Sequence, residues 1–276
     1  VFHDFPAGKM YSTMQEMVFP FIKNLHGDKD SAYAKYMGDA IFKVPTPLML
    51  DKIVTAMDGM YEQAAQLSNT DIRGDIYEYL LSKLATAGVN GQFRTPRHII
   101  RMMVDLMQPR ADDVICDPAC GTAGFLVAAY NHIRLANSSP SAIADVELDG
   151  KKHKRGLGDK LSAAQTSALQ SATFFGNDVD PKMVRLATMN LTLRGLANVR
   201  VRLRNVLTTN LDNEKKEQLG LPAEGYHVVL ANPPFAGRVD KDRVVEEVKV
   251  GTSTATELLF LKYMMDNLRP GGRCGV

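Results

Sequence analysis

Val228-Val229-Leu230-Ala231-Asn232-Pro233-Pro234-Phe235 is the stretch around which the rest of the chain is arranged. Three apolar residues read as a buried strand, which stops abruptly at an asparagine, two prolines and an aromatic. Neither Pro233 nor Pro234 can donate to a sheet ladder. The outcome is a stiff, carbonyl-rich turn at a strand's carboxyl end, where open α/β sheets bind ligands. The Asn232 side chain and the Pro233 carbonyl offer acceptors for an amino group, and Phe235 offers a ring to stack on a flat base. Such a turn suits an exocyclic amine. Taken alone it also reads as an ordinary loop anchored by one aromatic, so its meaning depends on the residues upstream.

Val114-Ile115-Cys116-Asp117-Pro118-Ala119-Cys120-Gly121-Thr122-Ala123-Gly124-Phe125-Leu126 reads as strand, glycine-bearing turn and helix. Gly121 and Gly124 permit close backbone approach of a ligand, as in doubly wound nucleotide folds. The three-glycine dinucleotide pattern and the Gly-Lys-Ser/Thr pattern are both missing, which disfavours NAD and ATP. Asp117, at a strand's end, fits a positively charged ligand better than a pyrophosphate. Residues 172–181 give a second strand ending in acids; Asp178 suits ribose hydroxyls, and Asp180 suits the cap of the helix that follows. Residues 199–204 alternate like a third strand, its arginines read as the solvated face. The 228–231 strand is then the fourth. A helix over 256–269 leads to a fifth at Gly271-Gly272-Arg273-Cys274-Gly275-Val276.

Before these units, Gly91-Gln92-Phe93-Arg94-Thr95-Pro96-Arg97 opens an apolar helix pattern, with Thr95 read as its N-cap and Pro96 as its first residue. Exposed amides and a hydroxyl there suit a carboxylate ligand; a plain cap would look much the same. Residues 10–90 carry helix-like patterns and turn signals, with little that looks like strands. One opens after Pro45-Thr46-Pro47, with Leu48, Ile53, Val54 and Met57 at near-helical spacing; another, capped by Asp71, runs from Ile72 through Leu84 toward Gly88.

Composition bounds the rest. The 276 residues are 45% hydrophobic and 23% charged with net charge +2, ordinary for a soluble globular protein and neutral on a nucleic-acid partner. Cys116, Cys120 and Cys274 form no disulfide or zinc pattern and read as core residues in a reducing cytosol, so no metal is expected and a cytoplasmic location is. No apolar run reaches the roughly 18 residues of a membrane span, and the start lacks a signal-peptide pattern. It also lacks a methionine, so the chain is expected to begin inside a longer protein.

In this order the blocks resemble the S-adenosylmethionine-dependent amino-methyltransferases, and more narrowly the modification (methyltransferase) subunit of type I restriction-modification systems. The residues that carry the resemblance are 71–87, 91–97, 117–126, 177–181, 232–235 and 256–273. It implies an α/β fold, a doubly wound, mostly parallel class I (Rossmann-like) sheet over residues 91–276, cut short at its C-terminal end and preceded by a helical subdomain over 1–90. It implies S-adenosylmethionine as cofactor, touching Gln92, Phe93, Thr95, Asp117, Pro118, Ala119, Gly121, Thr122, Gly124, Phe125, Asp178 and Asn205, with Thr95 at the methionine carboxylate. It implies that Asn232, Pro233, Pro234 and Phe235 take the N6 amino group of a flipped adenine in double-stranded DNA, with specificity and restriction subunits as partners. Three features depart from the family's pattern. Ala123 stands where glycine is common, Asn205 replaces a carboxylate, and residues 137–171 form a polar insert whose run Lys151-Lys152-His153-Lys154-Arg155 reads as a solvated loop or, alternatively, a DNA-phosphate contact. The rival readings are a methyltransferase acting on protein glutamine or RNA, and a non-catalytic subunit of the same fold.

Overall fold

The computed structural model describes residues 4–23, 38, 40–65, 72–86, 95–148, 151–196, 198 and 200–276. Its strands are β1 (Ile115–Asp117), β2 (Ile143–Leu148), β3 (Lys151–Gly156), β4 (Phe174–Asp178), β5 (Arg200–Leu203), β6 (Tyr226–Leu230) and β7 (Leu268–Gly275). Five of them form one sheet in the order β5-β4-β1-β6-β7, every neighbouring pair parallel. These are the five strands expected from the sequence, and the class is α/β. Ile115 and Cys116, Phe174 and Phe175, and Val228 and Val229 are adjacent pairs whose side chains point to opposite faces, and all six are buried. A sheet covered on both faces requires such unbroken apolar runs.

The helices are α1 (Ala7–Thr13), α2 (Phe19–Lys23), α3 (Pro47–Ala65), α4 (Ile72–Thr86), α5 (Arg97–Met107), α6 (Gly124–Ala136), α7 (Ala163–Ser171), α8 (Pro181–Thr192), α9 (Asn213–Gln218) and α10 (Thr256–Asp266). One π-helical stretch, Met14–Val18, joins the first two. On one face of the sheet, Ile100, Val104, Leu126, Ile133, Val184 and Leu191 pack with Ile115, Phe174 and Val228. On the other, Leu259, Phe260, Tyr263 and Met264 of α10 pack with Cys116, Phe175 and Val229. Each such side chain contributes roughly 1.5–3 kcal/mol by leaving water.

In α3 the proline opens the helix as expected, but Leu50 is buried while Leu48 and Ile53 are exposed. The Asp71 cap and the Gly88 stop lie outside the described residues. The helix between them, α4, touches α8 through the Tyr77 hydroxyl, which donates to the Leu186 carbonyl at 3.3 Å. It touches Arg194, just past α8, through Glu78, at 2.9 Å.

Three local expectations are corrected. Within the polar insert 137–171, the run 151–155 is not a loop: β2 and β3 pair as an antiparallel hairpin, and Ser162 caps α7 in a reciprocal capping box with Gln165. The basic run is therefore a strand, with Lys152 and Lys154 exposed and Arg155 buried. The arginines of β5 are not a free solvated face. Arg200 donates to the Ser171 carbonyl at 3.1 Å and to the Gly220 carbonyl, and Arg202 donates to that of Leu219. Thr95 does not cap α5, because Pro96, at φ −57° and ψ 139°, occupies the N-cap position and the helix starts at Arg97.

Candidate active site at the sheet's switch point

The strand order reverses between β1 and β6: the chain continues from β1 toward β4 and β5, and from β6 toward β7. Open α/β sheets bind ligands in the crevice beyond the carboxyl ends of two such strands. Asp117 ends β1, and Asn232 lies two residues past the end of β6, so the two strongest sequence candidates flank this crevice.

Asp117 is 1% exposed, and one of its oxygens accepts the Ala119 N–H at 3.1 Å. Burial pushes its carboxyl up to about 8, the Asp178 carboxylate adds to the rise, and the Ala119 N–H opposes it. A buried acid of this kind favours a cationic neighbour. Beyond it the turn is tied down at several points. The Cys120 N–H donates to the Asn177 carbonyl at 2.9 Å, the Gly121 N–H to Asp178 Oδ2 at 2.9 Å, and the Ala123 N–H to the Cys120 carbonyl at 2.7 Å. Gly121 (φ 51°) and Ala123 (φ 65°) are both left-handed. The first is free for glycine; the second is strained for alanine. Among the described residues, nothing lies within 4 Å of where a Cβ on Gly121 would sit.

Asp178 takes a structural share that strand-end reasoning did not anticipate. Its Oδ2 holds the Gly121 N–H, and its Oδ1 accepts the Asp180 N–H at 2.8 Å. Asp180 caps α8 as expected, accepting the Lys182 N–H at 2.8 Å. Asn205, two residues past β5, accepts the Leu207 N–H at 3.0 Å through its Oδ1. Pro118 is buried, Ala119, Thr122 and Gly124 are half-buried, and Phe125 is packed in the core. Gln92 and Phe93 lie outside the described residues.

Across the crevice, Asn232 Nδ2 donates to Thr95 Oγ1 at 2.9 Å. Asn232 Oδ1 and the Pro233 carbonyl accept no hydrogen bond among the described residues. Pro233 is buried and Pro234 exposed, and the Phe235 ring is 70% exposed. The turn is held from behind by α10. The Thr256 hydroxyl lies 3.3 Å from the Pro234 carbonyl and 3.2 Å from that of Gly237, and the Thr256 N–H donates to Gly237 at 3.1 Å. Glu257 accepts the Ala236 N–H, steadying a left-handed alanine (φ 54°) directly after Phe235.

Thr256, Glu257 and Asn190 are thus supporting residues to which sequence reasoning gave no role. Asn190 is fully buried and donates to the Thr122 carbonyl at 2.9 Å. A polar residue on the apolar pattern of α8 was the available signal. A cavity of about 260 Å³ lies between α5, α6 and β3, away from Asp117 and Asn232; Glu78, Arg97, Arg101, His132, His153 and Arg155 are among its lining residues.

A family described as N-6 DNA Methylase matches residues 68–276. The chain belongs to the N-6 DNA methylase family. All of the crevice residues named above fall within the matched stretch. The chain is 29% identical over 241 residues to the methylase subunit of the type I restriction enzyme EcoKI from Escherichia coli (strain K12), which is 84% of this chain and 40% of that protein. It is 26% identical over 274 residues to the EcoEI methylase subunit from Escherichia coli, 99% of this chain and 49% of that one. A modification subunit of a putative type I restriction enzyme from Vibrio vulnificus YJ016 superposes with a TM-score of 0.64 at 23% identity, covering 93% of this chain and 49% of that one. The chain therefore spans half or less of the length of these relatives. Among the described residues, no helix is long and apolar enough to cross a membrane.

Proposed function

We propose that this chain carries the catalytic site of a DNA adenine-N6 methyltransferase, the modification subunit of a type I restriction-modification complex. The observation that carries the proposal is Asn232, whose amide nitrogen donates to Thr95 while its oxygen accepts no hydrogen bond among the described residues at the switch point. S-adenosylmethionine suits the opposite side, where no described residue crowds Gly121 and the buried Asp117 favours a cation. There Asp117, the turn from Pro118 through Gly124, Asp178 and Asn205 would hold it, with Thr95 at its carboxylate. When bound it supplies a methyl group on a sulfonium, open to displacement by an amine.

The chain's own residues do the rest. An adenine amino group is a poor nucleophile because its lone pair is delocalised into the ring. Asn232 Oδ1 and the Pro233 carbonyl accept its two hydrogens, draw the nitrogen toward tetrahedral geometry and stabilise the positive charge that grows on it. Phe235, already exposed, stacks on the base and adds a cation–π contribution as that charge develops. No strong general base is required, because the proton leaves after the methyl group has arrived. In double-stranded DNA the base must first leave the stack. Specificity and restriction subunits are the proposed partners.

The test is Asn232→Ala in the assembled complex, supplied with labelled S-adenosylmethionine and unmethylated DNA. Transfer is expected to vanish while cofactor binding persists; full activity would refute the proposal. RNA and protein substrates run in parallel separate the rival acceptors.

A further inference from the structure

Thr95 and Asn232 share an unusual setting. Each precedes a proline, Thr95-Pro96 and Asn232-Pro233, so each backbone is pushed toward extended geometry and away from helix. They meet across 137 residues of chain, with Asn232 Nδ2 2.9 Å from Thr95 Oγ1. Thr95 has no capping duty, since Pro96 holds that position and no side-chain cap bond is made.

A carboxamide presents opposite hydrogen-bond signs at its two ends. Only Oδ1 can receive an amine's hydrogens; turned half a revolution, the same side chain would confront the amine with its own N–H groups. A hydroxyl accommodates either orientation, because it both donates and accepts. With its lone pair it receives from Nδ2, as observed here; with its proton it would give to Oδ1. What settles the choice is where the Thr95 proton goes.

We infer that Thr95 is a positioning residue that fixes the polarity of Asn232 and thereby couples cofactor occupancy to capture of the target base. The inference rests on the function proposed above. An acceptor on the cofactor side, its carboxylate, claims the Thr95 proton. The lone pair is then what remains for Asn232, whose oxygen is driven toward the base. Without that acceptor the proton is free to go to Oδ1, and the acceptor face is lost for part of the time. One hydroxyl thus joins the two halves of the site.

The test compares wild-type, Thr95→Val and Thr95→Ser subunits in the assembled complex at saturating S-adenosylmethionine. It measures single-turnover methyl transfer and, on duplexes with 2-aminopurine at the target, the fluorescence gain that reports base capture. Valine keeps the shape and loses the hydroxyl; serine keeps the hydroxyl. Thr95→Val is expected to slow transfer by about tenfold to a hundredfold even when the cofactor is saturating, the range set by one lost hydrogen bond at a reacting group. It should also lose the cofactor-dependent part of the fluorescence gain, and Thr95→Ser should recover most of both. If saturating cofactor restores the full rate to Thr95→Val, Thr95 only binds cofactor and the inference fails. The wild type supplies a check free of folding effects, since base capture that is the same with and without cofactor would also overturn it. Failure of the proposed function itself would show separately, as an active Asn232→Ala.

Discussion

Asp117 shows how far a single buried group can shape behaviour. With its carboxyl raised to about 8 by burial and by Asp178, it is mostly protonated at neutral pH in the ligand-free chain. Since its ordinary value is 3.8, its contribution to stability is full below that pH and is lost as pH rises through about 8. Asp117→Asn should therefore gain stability relative to wild type as pH rises, followed by thermal melting across pH. A cationic ligand reverses the preference, favouring the charged carboxylate. Cofactor affinity is accordingly expected to climb with pH to about 8 and then flatten, with proton release at pH 7 visible by calorimetry in two buffers of different ionisation enthalpy. Asp117→Asn should remove both effects. At Ala123, glycine would relieve a left-handed strain of about 1–2 kcal/mol but remove a fully buried methyl worth about 0.8 kcal/mol. Ala123→Gly should therefore change unfolding stability by no more than about 1 kcal/mol. Asp117 and Asn232 were legible because each ends an apolar run with chemistry a strand cannot use. The Thr95–Asn232 bond was not, because no local pattern links residues so far apart.

At the scale of elements, α10 matters for what its first turn grips. Thr256→Val removes the hydroxyl beside the Pro234 and Gly237 carbonyls, at an expected cost of about 1–2 kcal/mol in stability. Loss of transfer rate should exceed that cost, because the turn it supports carries Asn232; melting curves and steady-state kinetics separate the two. The β2–β3 hairpin makes a second prediction. Arg155 is buried and Lys152 exposed, so Arg155→Ala should destabilise by about 1.5–3 kcal/mol. Lys152→Ala should stay within about 0.5 kcal/mol. Equal melting shifts would contradict this reading of the strand. The hairpin escaped sequence reading because strand alternation is read from apolar residues. Here charged and imidazole side chains occupy both faces of β3, and the inward arginine looks the same in sequence as an outward one. The core strands had no such disguise, being apolar on both faces.

For the molecule as a whole, the sequence suggested a helical part over 1–90 and a catalytic part over 91–276, a division that remains a proposal. The contact that bears on it is Glu78 of α4 with the Arg194 guanidinium, fully buried just after α8. Glu78→Ala takes a carboxylate from a buried cation and is expected to cost about 3 kcal/mol. Urea unfolding reads that cost, and hydrogen exchange should show α4 losing protection first. The sheet carries a quieter consequence. Cys116 is level with Val229, so Asp117 stands one residue beyond that level and Asn232 three. A two-residue offset is roughly 7 Å along extended chain, with Asn232 itself just beyond the end of β6. The axial offset between the proposed donor seat and acceptor seat is thus set in part by the β1–β6 ladder of backbone hydrogen bonds. Side-chain changes can retune how tightly either seat holds its guest, but lengthening the stroke between them would take a bulge or a slipped ladder.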